Sequence, residues 1–339
     1  MLYLLRCAAR VGDVNLAAHN FHHRRIRPLV PGSRTTSGRV SAPSREWARN
    51  RILTKEGCPQ WNLLRDRSIQ ARARMNIIIS EGVRMVSRNS VVPVLWRVDQ
   101  YDGQTSVGVA ATQLDHLGVG AVERRKILAE WIEFLANVPT NIQHLDLVSR
   151  VPQELLDAVA GQSGLRSIDV KWGPYHDLVP LSELRQLEQV SLGGAGRLTS
   201  LSPLSSLPAL SALTVSQAHN VDDITTLSEL KSLRALLFGN ASLGSDKSVV
   251  MADLSWVTPL ARLTTLELPG TRILSANLTP ILALENLVTL GLPLRRSYRK
   301  QVFELAGRSA VFAKLAAEYE GFEAMKSDWA EGRARSERL

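Results

Sequence analysis

Cysteine is nearly absent from this chain: there are two in 339 residues, Cys7 and Cys58. Everything after residue 58 can therefore hold neither a disulfide nor a thiolate metal site, and the usage fits a reducing, cytoplasmic compartment. Aromatic residues make up only 5%, so any core has to be built mainly from aliphatic side chains. No apolar run approaches the roughly 18 residues of a helical membrane span. A phosphate-binding glycine loop, a nucleophile elbow, HExxH and paired CxxC motifs are all missing. These absences set the expectations: no cofactor, no metal, no membrane partner and no evident small-molecule substrate.

Acidic charge is also scarce, but only at one end. Residues 1–74 carry 15 Lys and Arg against four Asp and Glu, while the remaining 265 carry 26 against 28. The formal net charge of +9 is thus a property of the N-terminal extension. That extension has no sustained hydrophobic period, and is expected to be a basic, disordered segment. Trp47 and Trp61 stand among its arginines, so a nucleic-acid-associated adaptor that contacts phosphates through residues 1–74 is an alternative function. Cys7, His19, His22, His23 and Cys58 are metal-ligand types, yet the 34-residue gap between His23 and Cys58 matches no usual zinc spacing. MLYLLRCAAR is interrupted by Arg6 and fails as a secretory signal, whereas the acid-poor, arginine-rich stretch is similar in composition to an organelle transit peptide. Composition changes at Met75, so the extension also reads as a linker, a removed segment or the product of an earlier start site.

Against these absences stands one abundant residue. Aligned on LxxLxxLxxLxL, five windows fill every apolar position: Leu181 to Leu192, Leu204 to Val215, Leu227 to Phe238, Val257 to Leu268, and Ile281 to Leu292. That makes 25 large apolar residues in 25 positions, a coincidence of roughly one in 10^8 for a chain that is less than half hydrophobic. Shorter matches precede them at Leu145 and Ile168. The penultimate apolar positions fall at 145, 168, 190, 213, 236, 266 and 290. A spacing of three places leucines on one side of a short helix or 3₁₀ turn, and the closing LxL is a strand with alternate residues pointing inward. A single unit buries too little apolar surface to offset the ordering of its own backbone, so stacking is required. Pro180, Pro203 and Pro280 each precede the first apolar position of a unit; Ser202 and Thr279 stand before two of them and are expected to cap helix starts.

From about Ile142 to Leu294 these units resemble leucine-rich-repeat proteins, nearest the short-period, internalin-like bacterial kind. The resemblance implies an α/β solenoid, or horseshoe, with parallel strands on its concave face, short helices or 3₁₀ turns on its convex face, and helical caps at both ends. It also implies a side-chain ladder, usually Asn, three residues past LxL. Here those positions hold Gly173, Ala195, Ala218, Ala241, Thr271 and Arg295, so backbone bonds or water have to take over that role. The expected domains are 1–74, the basic extension; 75–141, an N-terminal hairpin around Tyr101-Asp102-Gly103-Gln104 plus a capping helix using Val122, Ile127, Trp131, Ile132 and Leu135; 142–296, the repeats; and 297–339, a helical cap and tail. Gly239 to Asp253 is about seven residues longer than its counterparts and is expected to be a surface loop.

In proteins of this kind the concave strand face usually binds partners, so the resemblance implies non-enzymatic recognition of a protein by that face. By phase it displays His144, Asp146, Asp169, Lys171, Trp172, Gln189, Gln217 and Glu267. Asp146, Asp169, Lys171 and Trp172 suggest a polar rim beside an aromatic anchor, unless Trp172 packs under the loop GPYH as an ordinary structural residue. No nucleophile is expected near His144 and Asp146, which would leave that pair without a reaction. A further alternative is an enzyme or regulatory subunit with a site in the caps.

Overall fold

The computed structural model describes residues 92–240 and 247–336. The basic extension lies outside them, with Cys7, His19, His22, His23, Trp47, Cys58 and Trp61, and so does Ala241.

The leucine spacing resolves into strands joined by tight crossovers. β1 (Val94–Leu95), β2 (Ser106–Val109), β3 (His144–Arg150), β4 (Ser167–Trp172), β5 (Gln189–Leu192), β6 (Ala212–Ser216), β7 (Ala235–Gly239), β9 (Thr265–Glu267) and β11 (Thr289–Gly291) form one sheet in chain order. Every neighbouring pair is parallel. β8 (Val249–Met251) and β10 (Thr271–Ile273) form a separate parallel pair. The crossovers are 3₁₀ turns at Val179–Glu183, Ser202–Ser206, Ile224–Glu229, Ser255–Val257 and Thr279–Ala283, in which side chains three apart eclipse one another. Of the 25 repeat positions, 24 are buried and Leu287 is half-buried, so turns and strands share one continuous interior.

Four helices complete the described chain: α1 (Ala121–Asn137), α2 (Gln153–Ala158), α3 (Arg296–Ala306) and α4 (Ala310–Ser336). Ile127, Trp131 and Leu135 of α1 join the core at i, i+4 and i+8, and the Trp131 indole N–H donates to the Trp96 carbonyl at 3.1 Å. Val122 falls off that stripe and is exposed, contrary to expectation, while Ile132 is half-buried. At the other end α3 takes the place of another strand. Its Tyr298 hydroxyl accepts the Ile273 N–H at 2.7 Å, its Gln301 carboxamide accepts the Leu278 N–H at 2.6 Å, and the Arg295 guanidinium just before it donates to the Thr271 carbonyl at 2.9 Å.

Three sequence expectations are corrected. The hairpin is absent: β1 pairs parallel with β2, Val94 opposite Gly108, because a 3₁₀ turn at Val98–Gln100 carries the connection over the core and seats Tyr101 against Phe134 at 5.4 Å. The sheet therefore begins two strands before Ile142. Ser202 and Thr279 are not capping residues. The Ser202 N–H donates to the Ser200 hydroxyl and the Thr279 N–H to the Asn277 carboxamide, and Asp177 and Asp253 likewise accept the N–H two residues on. These are local Asx- and Ser-type turns. The expected loop from Gly239 contains a strand, β8, whose Val249 and Met251 are buried. The missing ladder is replaced by backbone bonds between coils, Ala195 N–H to Ser216 and Ala218 N–H to Gly239, while the Thr271 hydroxyl turns back to its own Leu268 carbonyl.

Candidate binding surface

Alternate strand residues point away from the core, and parallel register stacks them into two lanes. The first runs Ser106, His144, Ser167, Gln189, Ala212, Ala235, Thr265, Thr289; the second runs Gly108, Asp146, Asp169, Ser191, Thr214, Leu237, Glu267, Gly291. Neighbouring strands lie about 4.8 Å apart, so Asp146 and Asp169 stand side by side. Asp146, expected on an exposed rim, is buried at 7% exposure. Ser106 and Ser167 flank His144 in register. Among the described residues no hydrogen bond joins the imidazole to either hydroxyl.

Lys171 and Trp172 end β4, both exposed, with Trp172 paired opposite Arg150 across a bulge. Trp172 is 40% exposed and does not fill the space under GPYH. Tyr175 does that. It is buried, its hydroxyl donates to the Gly193 carbonyl at 2.7 Å, and its phenol is held well above the ordinary range by burial, with the Asp169 charge adding to the effect.

Beyond Trp172 the surface is made by glycines. A methyl group at Gly194 would come within 2.7 Å of the Trp172 Cβ, and one at Gly196 within 3.3 Å of the His219 ring. Gln217 has a left-handed backbone, φ 62°, as do Gly194 at 60° and Gly270 at 62°. The corners that follow β5, β6 and β9 thus ask for glycine, and Gln217 tolerates it at a cost. His219 lies against Lys247, Nε2 to Nζ 3.4 Å. Burial and then the Lys247 charge push its pKa down, partly offset by the backbone of Gln217, which favours the protonated ring. Sequence reasoning missed His219, Gly194 and Gly196; the glycine density of GGAG was the available signal.

The eight expected residues are spread along the sheet. His144, Asp146, Asp169, Lys171, Trp172 and Gln189 cover three adjacent strands, β3 to β5, and Gln217 follows β6. Glu267 lies four strands beyond Asp169, half-buried beside Gly291, where a methyl group would meet its Cγ at 3.1 Å. Its carboxyl pKa is raised by burial, with the charge of Glu318 on α4 adding to it.

No family model matches the chain, and no curated protein matches it. Among solved structures it is similar to internalin C2 of Listeria monocytogenes, at 21% identity over 48% of this chain and 75% of that one, with a TM-score of 0.35. It is similar to internalin F of the same organism at 17% identity over 63% and 81%, TM-score 0.25. It is similar also to the ectodomain of the Arabidopsis receptor kinase HAESA, in complex with an IDA peptide hormone ligand, at 16% identity over 42% and 28%, TM-score 0.27. Parallel strands in strict chain order, 3₁₀ crossovers and a leucine interior make the architecture a leucine-rich-repeat solenoid.

Proposed function

We propose that this leucine-rich-repeat chain is a cytoplasmic, non-enzymatic recognition module that docks a partner protein on the outward face of β3, β4 and β5. The observation that carries the reading is Trp172, a large aromatic side chain left 40% exposed at the end of β4. Buried aromatic anchors supply much of the affinity of protein interfaces, with polar neighbours fixing register. Asp169, Lys171, Gln189 and, past the corner, Gln217 provide that polar setting.

The test is affinity capture from the source cells with wild type and with Lys171→Glu/Trp172→Ala, whose side chains are exposed enough to leave the core intact. A protein retained by wild type and lost by the variant is the expected result. Equal recovery would remove this face from consideration.

A further inference from the structure

The C-terminal helix pair offers another surface, which shares no residue with the strand face. Tyr298, Val302 and Leu305 of α3 face the core. On the opposite side Arg296, Arg299, Lys300 and Phe303, at i, i+3, i+4 and i+7, line an open recess of about 400 Å³.

This stripe works against its own helix. Cations at the start of a helix oppose the positive end of its dipole, and like charges three and four residues apart repel. The first turn of α3 contains no acidic residue, and Arg295, which precedes it, makes no side-chain cap. Lys300 has Glu304 at 3.7 Å, but among the described residues no carboxylate pairs with Arg296 or Arg299. Beside these charges Phe303 is left 37% exposed. A basic cluster set against local stability, next to an exposed ring and outside the basic extension, marks a surface that is complete only with an anion in place.

We propose that this stripe binds an acidic segment of a partner protein, which gives carboxylates to Arg296, Arg299 and Lys300 and sets an aliphatic side chain against the edge of Phe303. The stripe runs about 10 Å along the helix, the span of about three extended residues. Guanidinium forks match carboxylates in pairs. A single-stranded nucleic acid is disfavoured by the ring itself: the Arg299 guanidinium lies over it at 5.5 Å and Tyr319 leans on it at 6.4 Å, so a base has no clear face to stack on.

Fluorescence anisotropy on the full chain tests this with two labelled probes, a glutamate–leucine peptide and an oligothymidylate. Wild type is compared with Arg296→Gln/Arg299→Gln/Lys300→Gln and, separately, with Phe303→Ala; the cations of residues 1–74 are common to all and set a shared background. Exposed pairs are individually weak, and three together amount to about a ten-fold loss of peptide affinity at low salt. Phe303→Ala is expected to lose about three-fold, and the triple variant should melt no lower than wild type, since it removes cations that oppose their own helix. Equal peptide affinity across the three proteins overturns the proposal. So does an oligothymidylate that binds more tightly than the peptide and is weakened by Phe303→Ala.

Discussion

Leu213→Ala tests whether the coils share one interior. Leu213 lies at the centre of β6 with 0% exposure, held in register between Val190 of β5 and Leu236 of β7. The alanine variant removes three carbons from a site that cannot collapse, because both flanking coils pack on the same side chain. Buried Leu→Ala changes cost about 2.7–5 kcal/mol, and this site belongs near ~4 kcal/mol. Leu290 is the comparison. It sits on β11, is 8% exposed, and has a single strand neighbour in register, Leu266, so Leu290→Ala is expected to cost ~2–3 kcal/mol. Urea unfolding followed by circular dichroism reads both. With a slope of about 2–3 kcal/mol/M, the central variant moves the midpoint down by ~1.5–2 M and the terminal one by ~1 M, with slopes unchanged. Equal shifts at the two positions, or a loss below ~1.5 kcal/mol at Leu213, would refute the shared core. A second transition in the central variant would show the coils unfolding in independent blocks.

Burial and Glu318 raise the carboxyl pKa of Glu267, so the folded state holds this proton more tightly than the unfolded one and stability falls as pH rises through the folded pKa. Glu267→Gln should therefore raise the melting temperature at neutral pH and give no gain near pH ~3, below the ordinary carboxylate range; an equal gain at both pH values would rule out ionisation as the cause. At the corners, Gly193→Ala sets a methyl group on the Lys171 carbonyl oxygen and should destabilise by more than ~2 kcal/mol. Gln217→Gly relieves a left-handed backbone and should raise stability by up to ~1 kcal/mol. Thermal melts of the two variants shifting in the same direction would contradict the corner geometry.

The repeats were legible because their pattern is enforced at every turn. Leu204, Leu207 and Leu210 can share a side only on a turn of three residues, and a Leu213–Val215 strand must follow for the inward face to continue. Phase alone therefore placed the outward lanes. The strands before Ile142 were not legible for the converse reason: β1 has two residues, and the unit from β2 to β3 is stretched by α1. Tyr101-Asp102-Gly103-Gln104 carries ordinary turn chemistry, and whether such a turn reverses the chain or lets it climb is decided by Tyr101 docking on Phe134, a contact made across 33 positions.

The site was legible in outline only, because phase tells which way a side chain points and not how much room it finds. Asp146 and Asp169 occupy the same lane one coil apart, yet only Asp146 is buried. Trp172 is exposed because Gly194 follows it in the next coil, where any larger residue would collide with its Cβ. The basic stripe of α3 escaped attention for a different reason. Its four residues lie past the last repeat, where the hydrophobic pattern that organises the rest of the chain has ended, and Arg295 and Tyr298 in the same short run are structural, bonded to Thr271 and Ile273. Only the helix phase separates Arg295, which serves the fold through Thr271, from the outward Arg296, Arg299 and Lys300, and that separation makes the outward ones informative about a partner.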